Sequence, residues 1–452
     1  MRDEQSVVIT GMGAITPNGL DPETLWEAVR SGRSGIDVLS GEEFADLAVR
    51  IGGQVRGFDA ESVLPRALAR RLSPVQHWAI AVADQALVQA GIGTREPGTR
   101  EPGTRDSGAD ALPWERDRVG VIAATGSGPV DAMQSATRSL LTDGPRSVPL
   151  TLSIHGAPDS AAALLSQRWD FRGPAQGVSA TCASGAIGLG EGLRRIRHGY
   201  ADAVLVVGME DCVNAVNLAS NANMRALAAG FEDDPSAASR PFDRSRSGFV
   251  MSQGAAALLL ESEAGAAARG AEPLVELAGF GAASDAHHPT NPHPDGRGAA
   301  AAVREALADA GLGPADIDHI NAHATGTPAG DAAELAAFDA CLGTAARTIP
   351  ISATKSATGH LLGASGVVEA IIASLTMRDQ TLPPTINLGD PEFDGWDIVT
   401  DHARRLAGTA PAPERAGTAR ETGHERPIDT VLSTSFGFGG HNGALVLRRP
   451  SR

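Results

Sequence analysis

The stretch "SATCASGAIGLGEGLRRIR", residues 179–197, reads as a strand end, a tight turn and a glycine-rich helix. The stretch "ISATKSATGHLLGASGVVEAIIASLTMR", residues 351–378, repeats that layout in the second half of the chain. Two copies of one α/β unit would bring both turns to a common centre. The expectation is a duplicated α/β chain, with an N-terminal half over residues 1–255 and a C-terminal half over 256–452.

The segments around these copies support an α/β reading. "SVVITGMGAIT" (6–16) reads as a buried strand running into a glycine turn. "DPETLWEAVRSG" (21–32) reads as a helix capped by Asp21, with Pro22 in its first position and Gly32 beyond its end. "RVGVIAATGSG" (118–128) and "ADAVLVVGME" (201–210) are apolar runs separated by helical stretches. Such runs predict a largely parallel sheet covered on both faces. Residues 93–107 read GTREP-GTREP-GTRDS, a tandem repeat whose Gly and Pro spacing forbids regular structure. With 409–427 it reads as a surface insertion without chemistry.

Composition excludes several classes. A chain of 452 residues with 42% hydrophobic and 20% charged residues can bury a large core. No apolar run approaches the roughly 18–20 residues that span a bilayer, so no membrane is expected. The start MRDEQ lacks signal-peptide anatomy. The three cysteines, Cys182, Cys212 and Cys341, are too widely spaced for a disulfide framework or a zinc cluster, so the reading is a cytoplasmic protein without a metal. A net charge of −16 argues against nucleic acid as a partner.

Four segments carry candidate chemistry. Cys182 stands where an extended run gives way to a helix, and the positive end of the helix dipole there favours a thiolate. Its small neighbours let a substrate approach; a buried structural cysteine is the alternative. Cys212 and Cys341 lack that context. In "DHINAHATGTPAGDAAE" (318–334), His323 falls just beyond a strand end, where open α/β sheets place ligands. Lys355 and His360 lie in the loop before the second glycine-rich helix. Lys355 is the only lysine in the chain: 37 of the 38 basic residues are arginine. A lysine that fits a tight polar pocket cannot be exchanged for a planar guanidinium. In "STSFGFGGHNGALVL" (433–447), two strands flank a Gly-Phe-Gly-Gly turn whose backbone N–H groups could face an oxyanion.

Together these segments resemble the elongating β-ketoacyl-acyl-carrier-protein synthases, the condensing enzymes of fatty acid and type II polyketide synthesis. The resemblance spans the chain, from "VVITGMGAITPNG" through "SRPFDRSRSGFVMSQGAAALLLE" (239–261) to "LPPTINLGDPE" (382–392). It implies a thiolase-type fold, two repeated α/β halves in five αβαβα layers, working as a homodimer or as a heterodimer with a chain-length-factor-like subunit. Cys182 then matches the acylated nucleophile. His323 and His360 match the pair that promotes malonyl decarboxylation, and Lys355 the lysine that organises them. Phe438 matches the gating phenylalanine whose N–H joins that of Cys182 in the oxyanion hole. Thr325 and Thr327 match threonines lining the pantetheine arm. Phe436, Gly437 and Gly439 fall in the substrate-binding loop, and Glu334 and Glu369 match acidic residues buried near the site. No cofactor is implied beyond the phosphopantetheine of the acyl carrier protein.

The sequence departs from the pattern at Thr181, where alanine is usual, and at Ser252-Gln253, where Gly-Glu is common. "TPAGDAAE" looks more like the fatty-acid and polyene-type branch. A thiolase would need a second catalytic cysteine near the C-terminus, and 431–447 contain none. A non-catalytic partner subunit usually lacks the nucleophile, which is present here. A synthase active only beside such a subunit stays open. The implied carrier is acidic, like this chain, so docking needs locally gathered positive charge. "LPRALARRLS" (64–73) offers Arg66, Arg70 and Arg71, either as a docking patch or as a solvated helix face.

Overall fold

The computed structural model describes residues 5–93, 112–405, 420–421 and 426–450. The tandem repeat, from residue 94 on, and most of 409–427 lie outside the described residues. Within the latter, 420–421 pair with 404–405 as a short strand.

Ten strands form the main sheet. Those of the first half are β1 (Val7–Ile15), β2 (Val119–Ala124), β3 (Ala175–Val178), β4 (Ala203–Glu210) and β5 (Gly254–Ser262). Those of the second are β6 (Val275–Ser284), β7 (His319–Asn321), β8 (Ile351–Ser352), β9 (Thr430–Gly437) and β10 (His441–Arg448). Their order is β8-β7-β9-β10-β6-β1-β5-β4-β2-β3. Read outward from the centre, each half repeats one order: first strand, fifth, fourth, second, third. The duplication read from two turns is thus present in the whole topology. Residues 255–256 lie inside β5, which pairs with β1 and β4 of the first half along its length. The change of sheet half comes after Ser262, before Val275.

The sheet is mixed rather than largely parallel. β2 runs parallel to β3 and β4, and β7 to β8 and β9. The fifth strand of each half runs antiparallel to both neighbours. The cause is the connection: β9 and β10 are joined by the tight Phe438–Gly440 turn instead of a crossover helix.

Six helices complete the layers: α1 (Pro74–Gln89), α2 (Ser160–Trp169), α3 (Ser184–Arg197), α4 (Arg297–Asp309), α5 (Pro328–Leu342) and α6 (Ser365–Asp379). Alternate strand residues divide between cores. Leu205 and Val207 of β4 face α1 and α2, whereas Val204 and Val206 face a central core with α3 and α6. Val431 and Leu445 of the second half enter that same central core, while Leu432 and Val446 face α4 and α5. Among the described residues, the two sheet halves pair strand to strand only at Val8↔Glu276 and Ile9↔Val275, and α3 and α6 fill the space between them. The result is the five-layered αβαβα arrangement. Every residue of α6 from Ser365 to Met377 is buried, as befits a helix apolar on all sides. Among the described residues no helix is long and apolar enough to cross a membrane.

Local sequence signals are met at the helix Pro22–Arg30, where the Asp21 carboxylate accepts from Thr24 N–H at 2.9 Å. β1, by contrast, runs on through the glycines read as a turn. A Cβ on Gly11 would lie 2.0 Å from the Ala86 carbonyl oxygen, and one on Gly13 2.0 Å from that of Val82. The glycines let α1 press onto the strand.

The same constraint governs the centre. α3 and α6 start against each other at Gly185 and Gly366, where a Cβ on Gly366 would lie 2.5 Å from Ala186 N. Backbone cannot give way as a side-chain tip can. Gly366→Ala is therefore expected to lower the midpoint of chemical denaturation by the equivalent of about 1–3 kcal/mol; an unshifted midpoint would show that the contact is slack.

Candidate active site

Cys182 sits in the short 3₁₀ turn Thr181–Ala183 between β3 and α3. Thr181 adopts φ 50°, a left-handed conformation that costs an L-residue roughly 1–2 kcal/mol. Local bonds hold it there. Its Oγ1 donates to the Phe438 carbonyl at 2.8 Å, and Ser184 Oγ accepts from Ala180 N–H at 2.8 Å. The unusual threonine before the nucleophile thus ties the Cys182 turn to the Gly-Phe-Gly-Gly turn. A Cβ on Gly437 would lie 2.2 Å from Thr181 Oγ1, so that position must stay glycine.

The turn aims the sulfur into a cavity of about 310 Å³. Burial pushes the Cys182 thiol up to about 12, against the Lys355 charge and the backbone N–H groups of Phe438 and of Cys182 itself. The thiolate expected at a helix N-terminus is therefore not the resting form. Removing the sulfur from water outweighs the dipole and the nearby cation. The backbone N–H groups of Phe438 and Cys182 both lie close enough to the sulfur to pull its pKa down.

His323 and His360 meet Cys182 at the inner end of the cavity. One donor atom from each of the three lies within 4.8 Å of the others, the one such cluster among the described residues. The imidazoles cross edge to face at a centroid separation of 5.3 Å. His360 is fixed by Nδ1···Ser365 Oγ at 3.0 Å and by its N–H bond to the Val250 carbonyl at 2.7 Å. With the Ser365 hydroxyl donating, the ring proton sits on Nε2, which has no protein partner. The loop of His323 hangs on Glu334, whose carboxylate accepts from His323 N–H at 2.8 Å, Ala324 N–H at 2.7 Å and Thr434 Oγ1 at 2.7 Å. Burial first, then the Lys355 charge, holds both imidazoles well below their ordinary range, so both are neutral at pH 7.

Lys355 is 1% exposed, and its ammonium pairs with Glu369. Among the described bonds it reaches His323 through its field rather than through a hydrogen bond. Burial pushes the Glu369 carboxyl up to about 7 despite that ammonium. Thr325 and Thr327, their hydroxyls 3.1 Å apart, line the cavity together with Phe436, Gly437 and Phe438. Gly439 turns the loop at φ 82° and donates to the Pro289 carbonyl at 2.7 Å. Arg66, Arg70 and Arg71 are exposed around the short helix Arg66–Ala69, with Arg66 3.3 Å from Glu61. Cys212 is buried, its thiol donating to the Ser252 carbonyl at 3.0 Å, and Cys341 lies on the outer helix α5; neither reaches the cavity.

Sequence reasoning missed several residues that hold this site. Asp331 accepts from Gly326 N–H at 3.1 Å and Phe242 N–H at 2.9 Å and pairs with buried Arg246 at 3.3 Å, fixing the Thr325–Thr327 loop. Both stand in stretches quoted above, but among other charged and polar residues nothing local marks Arg246, and Asp331 looks like an ordinary first-turn acid of a helix. Gln253 takes the place of the usual glutamate: its amide nitrogen donates to Asp211 Oδ1 at 3.1 Å and its oxygen accepts from Val55 N–H at 3.3 Å. Glu210, at the end of an otherwise apolar strand, is a further case.

Comparison with known proteins agrees with this geometry. Residues 4–266 match the family "Beta-ketoacyl synthase, N-terminal domain", and 274–389 match "Beta-ketoacyl synthase, C-terminal domain". The 3-oxoacyl-[acyl-carrier-protein] synthase 2 of Synechocystis is 37% identical over 450 residues, covering 99% of each chain. That of Vibrio cholerae is 35% identical over 448 residues, again with 99% of each covered. Among solved structures, a beta-ketoacyl synthase from Burkholderia phymatum has a TM-score of 0.83 at 30% identity, covering 99% of this chain and 100% of that one. A type II polyketide ketosynthase in complex with its acyl-carrier protein has a TM-score of 0.82 at 26% identity, with the same coverage. The ishigamide ketosynthase/chain length factor has a TM-score of 0.82 at 27% identity, also over 99% and 100%. With two family models spanning most of its length and a full-length relative 37% identical, the chain belongs to the beta-ketoacyl synthase family.

Proposed function

We propose that this beta-ketoacyl synthase transfers an acyl group from a carrier thioester to Cys182 and condenses it with a decarboxylating malonyl thioester. The observation that carries the proposal is the convergence of the Cys182 sulfur with one nitrogen each of His323 and His360 at the inner end of the cavity. In the first stage a neutral imidazole takes the thiol proton as the sulfur attacks the thioester carbonyl. The N–H groups of Cys182 and Phe438 hold the oxyanion; one such donor is typically worth about 2.7–4 kcal/mol. Collapse expels the pantetheine thiolate, which leaves with that proton.

In the second stage the malonyl thioester oxygen lies between the imidazole N–H groups. The bond to the carboxylate breaks, carbon dioxide leaves, and its electron pair becomes an enolate held by those donors. The enolate carbon attacks the acyl carbonyl, and the Cys182 sulfur departs as thiolate and takes up one proton from solvent, the proton that the decarboxylation consumes overall. Neutral imidazoles suit this stage, because they donate without being able to quench the enolate as an imidazolium would. Lys355 and Glu369 serve as positioning residues, the ammonium keeping both rings neutral through its field.

We further infer that the partners are an acyl carrier protein and a second subunit, either another copy or a chain-length-factor-like chain, in the reducing cytoplasm. The solved relatives include a ketosynthase with its carrier and ketosynthases with chain length factors. The sheet ends at β3, whose residues are alternately exposed, an open edge of the kind that pairs between chains. Unpaired cysteines accord with a reducing compartment. Acidic carrier would dock near Arg66, Arg70 and Arg71.

Cys182→Ala is expected to stay folded and to take no acyl group. Intact mass after incubation with acyl carrier should show one adduct on the wild type alone; an adduct on Cys212 or Cys341 would overturn the assignment. Because both imidazoles titrate well below 6.5, kcat/KM for a small thioester should stay on its plateau as pH falls through 6.5, with the acid limb lower still. A limb centred at 6.5 would mean that the histidines are solvated. Reversing Arg66 and Arg70 to glutamate should raise KM for the acyl carrier, most at low salt, and leave a small thioester nearly unaffected. Equal losses on both substrates would make the patch structural.

A further inference from the structure

The two glycine-rich helices start from the same turn. Thr181–Ala183 precedes α3 and Leu362–Ala364 precedes α6; both are 3₁₀ turns followed by a serine at the first helical position. Thr181 stands at φ 50° and Leu362 at φ 43°, so even the strained residue is shared. Cys182 in the first turn corresponds to Gly363 in the second. The fourth strand of each half ends beside the opposite turn: β9 at Gly437, followed by the donor Phe438, and β4 at Glu210.

Glu210 is fully buried and takes the N–H of Gly363 on Oε2 at 2.9 Å. The same oxygen accepts from Gly126 N–H at 2.6 Å, and Oε1 accepts from Ser127 N–H at 3.0 Å. In the first half the N–H of Cys182 acts on its own sulfur; in the second the equivalent N–H, that of Gly363, is taken by a carboxylate that also holds the loop after β2. Burial pushes the Glu210 carboxyl up to about 7, against the pull of these N–H groups; when ionised, it is the counterpart of the oxyanion that forms for a moment at Cys182. It also spans the halves. Gly126 and Ser127 follow β2, and Thr125 beside them accepts from Ser184 Oγ at 3.2 Å through its carbonyl. Gly363 lies three residues past His360. The head-on meeting of two helix N-termini gathers partial positive charge there, which a buried anion offsets.

We propose that Glu210 is a positioning residue for the condensation: its carboxylate ties the Thr125–Ser127 loop, on which the Cys182 turn hangs through Ser184 Oγ, to the turn following His360, and so sets the distance between nucleophile and imidazole. This rests on the catalytic reading of Cys182 and His360.

The test is chemical rescue. Glu210→Ala leaves three N–H donors around a space that a small carboxylate can refill. Condensation kcat should fall on the order of 10- to 100-fold, the scale of an ångström-sized misplacement. Formate or acetate at tens of millimolar should restore a large part of it, with chloride at equal ionic strength inert. A defect that merely loosens the fold would lower the melting temperature without answering to formate. Glu210→Gln, which keeps the volume, covers the case in which the alanine variant does not fold. One amide face then opposes the N–H donors, and its kcat should fall while KM for the small thioester holds. Wild-type kcat in either folded variant, or a loss in folded Glu210→Ala that formate does not relieve, overturns the proposal. A wild type that takes no acyl group on Cys182 would instead sink the catalytic reading, and this proposal with it; acylated wild type with an unimpaired Glu210→Ala sinks this proposal alone.

Discussion

Everything at the centre of the molecule depends on how closely two helix starts can approach. Gly185 and Gly366 put backbone against backbone, with the Gly363 carbonyl oxygen 3.0 Å from where a Gly185 Cβ would stand. That approach brings the end of one sheet half within reach of the other's turns. Without it, Phe438 could not donate toward a sulfur carried by the first half, nor Glu210 accept from a glycine of the second. A cavity that draws Cys182 from one half and its histidines from the other exists because no side chain keeps those helices apart.

The same closeness concentrates charge in a dry place. Lys355 stands close enough to Cys182, His323, His360, Glu334 and Glu369 for its field to act on all five. A single buried ammonium lowers the thiol, depresses the imidazoles and steadies the acids, so one residue biases five protonation states. Its partner Glu369 keeps the desolvated charge from being orphaned, the condition under which a buried ion is tolerated. The resting site therefore holds a protonated thiol and neutral rings, and nucleophilicity arises only when a proton moves.

Much of this was legible in the residues. Cys182, His323, Lys355 and His360 stand out because each lies just past a strand end in a glycine-rich setting, and the structure brings them together. The duplication was visible in two turns, and it extends to all ten strands. What stayed hidden is what depends on burial or on distant partners. A helix start predicts an acidic thiol, but the depth of Cys182 reverses the sign. Apolar runs predict strands but not their direction, which is set by a three-residue turn in one half and a long excursion in the other. Glu210, Asp331 and Arg246 look like ordinary surface charges until the fold closes over them.

The placement of Lys355 reaches beyond its field. The chain has one lysine, and it is 1% exposed. The folded surface offers no side-chain amine, so reagents and modifying enzymes that seek lysine meet arginine everywhere else. Amine labelling of this residue requires that the fold around it open. Its rate, followed in the intact protein, would serve as a clock for the opening of the catalytic core, with no probe having to be engineered in.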